Sequence, residues 1–199
     1  MGAKYRRNLE FANTDKFVPY MIKNIPPRCE FRIHVSGDFK DVTYVRQWYQ
    51  IAKARPGVTF YTYTRSWRTD MWPAIVQLHN LLSNVNVNLS VDSETGTPWW
   101  PSMQELRWCY LTGDDTAPDW LRKGDIIFRS NHNARQGNHK WHRKKAIKNG
   151  LDPDTVAPLI HKIGKAAVCP LERGRDMPKY FSCARCHLCV DKPQVPNYV

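Results

Sequence analysis

Two periods run through the hydrophobic positions of this chain, and they take turns. Phe17, Val18, Met21, Ile22 and Ile25 recur at helical spacing, so the N-terminal part reads as helical to about Asn24. Asp15 stands where it can cap that helix, Pro19 fits only its first turn, and the Pro26–Pro27 pair ends it. Phe31 to Ser36 alternates apolar and polar positions and predicts a strand, followed by the Gly37–Asp38 turn. Asp41 can cap a helix to Arg55 with Val45, Trp48, Ile51 and Ala52 on one face, stopped by Pro56–Gly57. Val58 to Tyr63, rich in β-branched and aromatic residues, predicts a second strand. Asp70 can cap a further helix with Ile75, Leu78, Leu81 and Leu82 facing inward, ended by Ser83–Asn84. Strands are expected at Asn86 to Val91, Arg107 to Leu111, and Asp125 to Arg129, the last entered through Gly124. Asp152–Pro153 opens a last helix with Val156, Leu159, Ile160 and Ile163 on one stripe, ended by Gly164.

Strands that alternate with helices predict βα units and a mainly parallel sheet, hence an α/β fold. The first three strands start about 28 residues apart, which suits one unit each. About five strands are too few to close an eight-fold barrel, so a partial barrel or an open twisted sheet is expected. At 199 residues the chain fits a single domain, 1–199, with residues 165–199 as a cysteine-rich cap.

That cap changes the picture most. Four of the six cysteines fall in the last 31 residues, as Cys169 and then Cys183, Cys186 and Cys189 in the spacing C-x2-C-x2-C. Two-residue gaps let consecutive thiolates wrap one metal centre, and a remote cysteine can close the fourth corner of a [4Fe-4S] cube. Zinc is the rival, because His187 lies inside the run and could replace one thiolate. A disulfide framework suits small secreted domains, and the start of the chain has no apolar segment of a secretory signal. A reducing cytoplasm is therefore expected, and no apolar run approaches the length of a membrane span.

The net charge of +12 makes an anionic partner plausible, with a solvated basic surface as the plain reading. Positive charge concentrates in residues 129–148, where Arg135, Lys140, Arg143, Lys144 and Lys145 flank Trp141 with no acid between Asp125 and Asp152. Such a stretch can contact phosphates and stack a base. His139 and His142 lack the spacing and the glutamate of a zinc-protease motif.

Ligands of parallel α/β sheets bind at the carboxyl ends of the strands. Here those ends are polar, and His34, Ser36, Asp38, Arg65 and Asp92 are the candidates for a small-molecule or catalytic pocket. Alternation places Arg32, His34 and Ser36 on one face, opposite Phe31, Ile33 and Val35. Ser36 with His34 as base and Asp38 or Asp92 as orienter would give a hydrolase, although no G-x-S-x-G elbow is present. Taken singly, each of these residues is more often a turn or core residue than a functional one; the set is the stronger signal, because polar residues recur at equivalent ends of successive units.

His34 to Phe39 (HVSGDF), Trp48, Ile51, Pro56 and Phe60 to Ser66 (FYTYTRS) resemble the signature of bacteriophage proteins catalogued as the gene product 88 family. The resemblance is close over residues 29–67 and looser over the terminal cysteines. It implies a phage protein in the host-cell cytoplasm, with a partial barrel like that of radical S-adenosylmethionine proteins. The C-x3-C-x2-C motif of those enzymes is not present, and no cysteine precedes Cys29, so the resemblance does not imply radical chemistry. Cys29 and Cys109 read as buried cysteines on or beside strands. Together these features point to a phage iron–sulfur protein whose one [4Fe-4S] cluster is structural or redox-active. A zinc-stapled nucleic-acid-binding protein is the alternative, and an esterase-like hydrolase a minor one.

Overall fold

The computed structural model describes residues 3–35, 37–112, 118–129, 162–163, 166–169 and 189–192. It divides the chain into two compact units, Met1–Asn88 with Cys189–Asp191, and Leu89–Leu188 with Lys192–Val199.

The first unit begins with two helices where one was expected, α1 (Ala3–Ala12) and α2 (Phe17–Asn24). Asp15 does not cap α2: Lys16 occupies the N-cap and no side-chain cap bond forms. Pro19 falls in the first turn, where its missing N–H costs nothing. Strand β1 (Glu30–Arg32) leads to α3 (Val42–Ala54), whose N-cap is Asp41, accepting from the Tyr44 amide at 2.7 Å. The face expected of α3 is the buried one: Val45, Trp48, Ile51 and Ala52 are all closed to solvent.

Strand β2 (Thr59–Thr64) pairs with β1 in parallel, with Phe31 level with Phe60 and Arg32 level with Tyr61. A core of rings forms between this sheet and α3. Trp48 lies 5.8 Å from Phe17, 5.9 Å from Phe31 and 6.3 Å from Phe60, in edge-on or tilted arrangements that suit the ring quadrupoles. A 3₁₀ turn (Ser66–Arg68) then precedes α4 (Trp72–Leu81). Asp70 does not cap α4, because Met71 is its N-cap and Pro73 opens the first turn. Ile75, Leu78 and Leu82 are buried as expected, but Leu81 is 64% exposed, and Val76 and His79 are buried as well. Leu81 is the one expected position that misses, and His79 is turned in, its Nδ1 accepting the Val87 amide at 3.1 Å.

Strand β3 (Val85–Val91) follows, and Asn84 joins it to α3. Its side-chain amide lies within 3.1 Å of the Ala52, Arg55 and Val58 carbonyls, capping the end of α3 and the turn into β2.

The boundary between the units falls inside β3. In the second unit, β4 (Arg107–Thr112) and β5 (Ile126–Arg129) pair in parallel, from Cys109 level with Ile126 to Thr112 level with Arg129. Gly124 enters β5 with φ of +99°, a conformation that excludes a β-carbon at low cost. Asp125, 2% exposed, accepts from the Trp108 amide at 2.9 Å and from the Arg122 amide and guanidinium. Arg122 lies 3.9 Å over the Trp108 ring, so its charge is both paired and stacked.

Two short strands complete the sheet, β6 (Lys162–Ile163) and β7 (Ala166–Val168). They pair antiparallel with each other, and β7 pairs parallel with β5. Ile163 was expected at the end of a helix and stands in β6 instead. The rest of that expected helix lies outside the described residues. The strand order is β1-β2-β3-β4-β5-β7-β6. The α/β class and the mainly parallel sheet are as expected. Seven strands are described where about five were visible in sequence, because segments of two and three residues are too short to show alternation. Among the described residues the order has two ends, β1 and β6, so the sheet is not closed through them.

Candidate functional site

The expected strand at residues 31–36 is cut short after Arg32, and this relocates the first candidate residue. Ile33 still donates to the Tyr61 carbonyl at 2.9 Å, but the chain then bends. Val35 is 81% exposed and His34 only 8%, so simple alternation ends there. Arg32 stays on the sheet face away from α3, its guanidinium 4.9 Å from the Tyr63 ring. His34 turns to the α3 side instead. Its Nδ1 lies 3.2 Å from Thr62 Oγ1, and its ring sits 4.8 Å from Phe39 and 5.7 Å from Tyr44. The expected sharing of one face by Arg32 and His34 is therefore corrected. Burial lowers the His34 pKa to about 4, against a smaller raising effect of the Asp38 charge and a lowering one of Arg32. Its Nε2 is buried with no hydrogen-bond partner among the described residues. At neutral pH the ring is uncharged, well below the range that suits a general base.

Asp38 and Arg65 are brought together through main chain. The Asp38 carboxylate accepts from the Phe39 amide at 2.7 Å, Thr64 Oγ1 at 2.6 Å, the Arg65 amide at 2.6 Å and the Ser66 amide at 3.2 Å. Four donors on one carboxylate tie the loop after β1 to the end of β2. Gly37 makes the turn before it, with φ of +83°. Asp92, in the second unit, is similarly engaged: it accepts from the Glu94 and Thr95 amides at 3.0 and 2.9 Å, closing the turn after β3. Ser36 lies outside the described residues, as do Arg135, Lys140, Trp141, Arg143, Lys144 and Lys145 of the basic stretch.

Of the four candidate metal ligands, Cys169 and Cys189 are described, and Cys183 and Cys186 lie outside the described residues. Cys169, 8% exposed, follows β7, and its amide donates to the Ile127 carbonyl at 2.8 Å. Cys189 is half-buried and belongs to the first unit. Its carbonyl accepts from two side chains of β3, Asn86 Nδ2 at 2.7 Å and Asn88 Nδ2 at 3.0 Å. The Phe60 amide donates to the Asn84 carbonyl at 2.7 Å, which sets Val85 level with Phe60. Asn86 and Asn88 therefore fall on the face of Tyr61 and Tyr63, opposite Phe60 and the α3 core. Asn86 is 1% exposed and Asn88 wholly buried.

Nothing in the motif reading singled out these two asparagines. The available signal was the run Val-Asn-Val-Asn-Leu-Ser-Val itself, because asparagine is disfavoured in strands and costly to bury without partners. Of the other two cysteines, Cys109 is buried as expected, whereas Cys29 is half-buried and its Sγ lies 3.1 Å from the Pro26 carbonyl.

Cysteines of this kind can hold a metal as thiolates, and of the two described candidates both main chains are fixed to strands, Cys169 to β5 and Cys189 to β3. Comparison with known proteins gives the family. The family profile described as Gene product 88 matches residues 1–192. The chain belongs to the Gene product 88 family. A relative, the Gene 88 protein of Mycobacterium phage L5, is 30% identical over 96 residues. That match spans 44% of this chain and 38% of the phage L5 protein. No solved structure matches the chain. Among the described residues, no helix is long and apolar enough to cross a membrane.

Proposed function

We propose that this Gene product 88 protein is an iron–sulfur protein in which Cys169, Cys183, Cys186 and Cys189 hold one [4Fe-4S] cluster. The C-x2-C-x2-C run supplies three adjacent thiolates and Cys169 the fourth. The observation that supports the reading is the seating of Cys189: the buried side-chain amides of Asn86 and Asn88 donate to its carbonyl and fix the main chain of the last cysteine of the run. Four thiolates complete the coordination of a cube, so the cluster serves electron transfer or structure rather than Lewis-acid chemistry at an open iron. In the structural role it staples the C-terminal segment to the fold.

The test is the iron and acid-labile sulfide content, with the visible spectrum, of anaerobically purified wild type and Cys186→Ser. About four irons and four sulfides per chain, lost in the variant, are expected. Zinc without sulfide would overturn the iron–sulfur reading and bring forward a zinc staple on a protein that binds an anionic partner through residues 129–148.

A further inference from the structure

We infer that Asn86 and Asn88 are positioning residues for the Cys189 corner of the metal centre, an assignment that rests on the metal-binding reading above. The inference begins with a conflict. Two asparagines on one face of a buried strand oppose both strand propensity and desolvation, so their amides must be used. Asn88 Nδ2 spends one N–H on the Cys189 carbonyl at 3.0 Å and the other on the Thr62 carbonyl of β2 at 3.1 Å. Asn86 Nδ2 reaches the Cys189 carbonyl at 2.7 Å and the Asp191 carbonyl at 3.0 Å. The Cys189 carbonyl thus receives a donor on each lone pair. These partners lie 101 to 105 residues apart in sequence.

Two consequences follow from the chemistry of the amide. The donors are neutral and do not titrate, so the grip is independent of pH near neutrality. They bind the main chain of Cys189 and not its thiol, so they hold the backbone from which a ligand would extend. The amides do not themselves ligate. They act through the cysteine, as the partners behind metal ligands generally do.

The experiment compares wild type with Asn86→Ala, Asn88→Ala and Asn84→Ala in the full chain. Asn84 is the control, because its amide caps α3 through the Ala52, Arg55 and Val58 carbonyls. Metal bound after purification and the rate of its release to a chelator are measured, with folding checked by circular dichroism. The Asn86 and Asn88 variants are expected to release metal at least about tenfold faster than wild type, and Asn84→Ala at the wild-type rate. Equal rates in wild type and all three variants would overturn the inference and leave the metal reading standing. Faster release in all three alike would reduce the effect to general destabilisation and overturn it too. Faster release of zinc, confined to the Asn86 and Asn88 variants, would support the positioning role while overturning the iron–sulfur reading. Wild type without any metal would overturn both. Should the alanine variants fail to fold, hydrogen exchange over residues 189–191 of wild type decides: metal removal is expected to raise it, and unchanged exchange would count against the coupling.

Discussion

Acid should weaken this fold through His34 in a way that one substitution abolishes. The ring is 8% exposed and wedged among Phe39, Tyr44 and Thr62, and burial lowers its pKa from 6.5 to about 4. The unfolded chain takes up a proton near pH 6.5 that the folded chain refuses until about pH 4. Stability is therefore unaffected by His34 above pH 6.5, falls as pH drops between the two values, and levels off below about pH 4. The full loss is about 3 kcal/mol, of which about 2 kcal/mol is reached by about pH 5. Asp38 offsets part of this by its charge, and Arg32 adds to it. The perturbation is His34→Leu, which keeps an apolar body against the rings and removes the titration. The assay is urea unfolding followed by tryptophan fluorescence, at intervals from about pH 7.5 to about pH 4.5. The stability difference between wild type and variant should narrow by about 2 kcal/mol from neutrality to about pH 5. A difference constant across that range would refute the reasoning, because it would mean that His34 protonates in place or opens to water.

Three further outcomes follow from the packing. Trp48→Ala removes the ring that joins α2, β1 and β2, and should cost about 3–5 kcal/mol in the same urea assay. Asp125→Ala leaves the Arg122 charge and the buried Trp108 amide without their carboxylate, and should cost about 3–5 kcal/mol; a loss below about 1 kcal/mol would show that water replaces it. Asp38→Ala strips four donors of one acceptor and should raise hydrogen exchange at the Arg65 and Ser66 amides at least about tenfold, while the amides of α3 beyond its first turn stay protected.

Much of the architecture follows from short-range physics and was legible in sequence. The buried face of α3 is set by helical periodicity and its start by the Asp41 cap; both act within a few residues, and both are found. The same holds for the alternation of β2 and for the apolar positions of β3. Local rules place Ile75, Leu78 and Leu82 of the α4 stripe correctly but misplace Leu81, while His79 turns in with a partner, and they carry β1 too far, past the bend that turns His34 toward Thr62.

The sequence by itself determined the α/β class, the core stripe of α3 and the cysteine spacing from which a metal centre is proposed, because each depends on residue type and separation along a few turns of chain. It also determined membership of the Gene product 88 family. Only the tertiary structure decided which face His34 occupies, that Asp38 is spent on the end of β2, and that Asn86 and Asn88 grip the tail. Those outcomes depend on which strand lies beside which, and on bonds spanning up to 105 residues. Periodicity tells which side chains share a face; what covers that face is settled only when the chain returns to it.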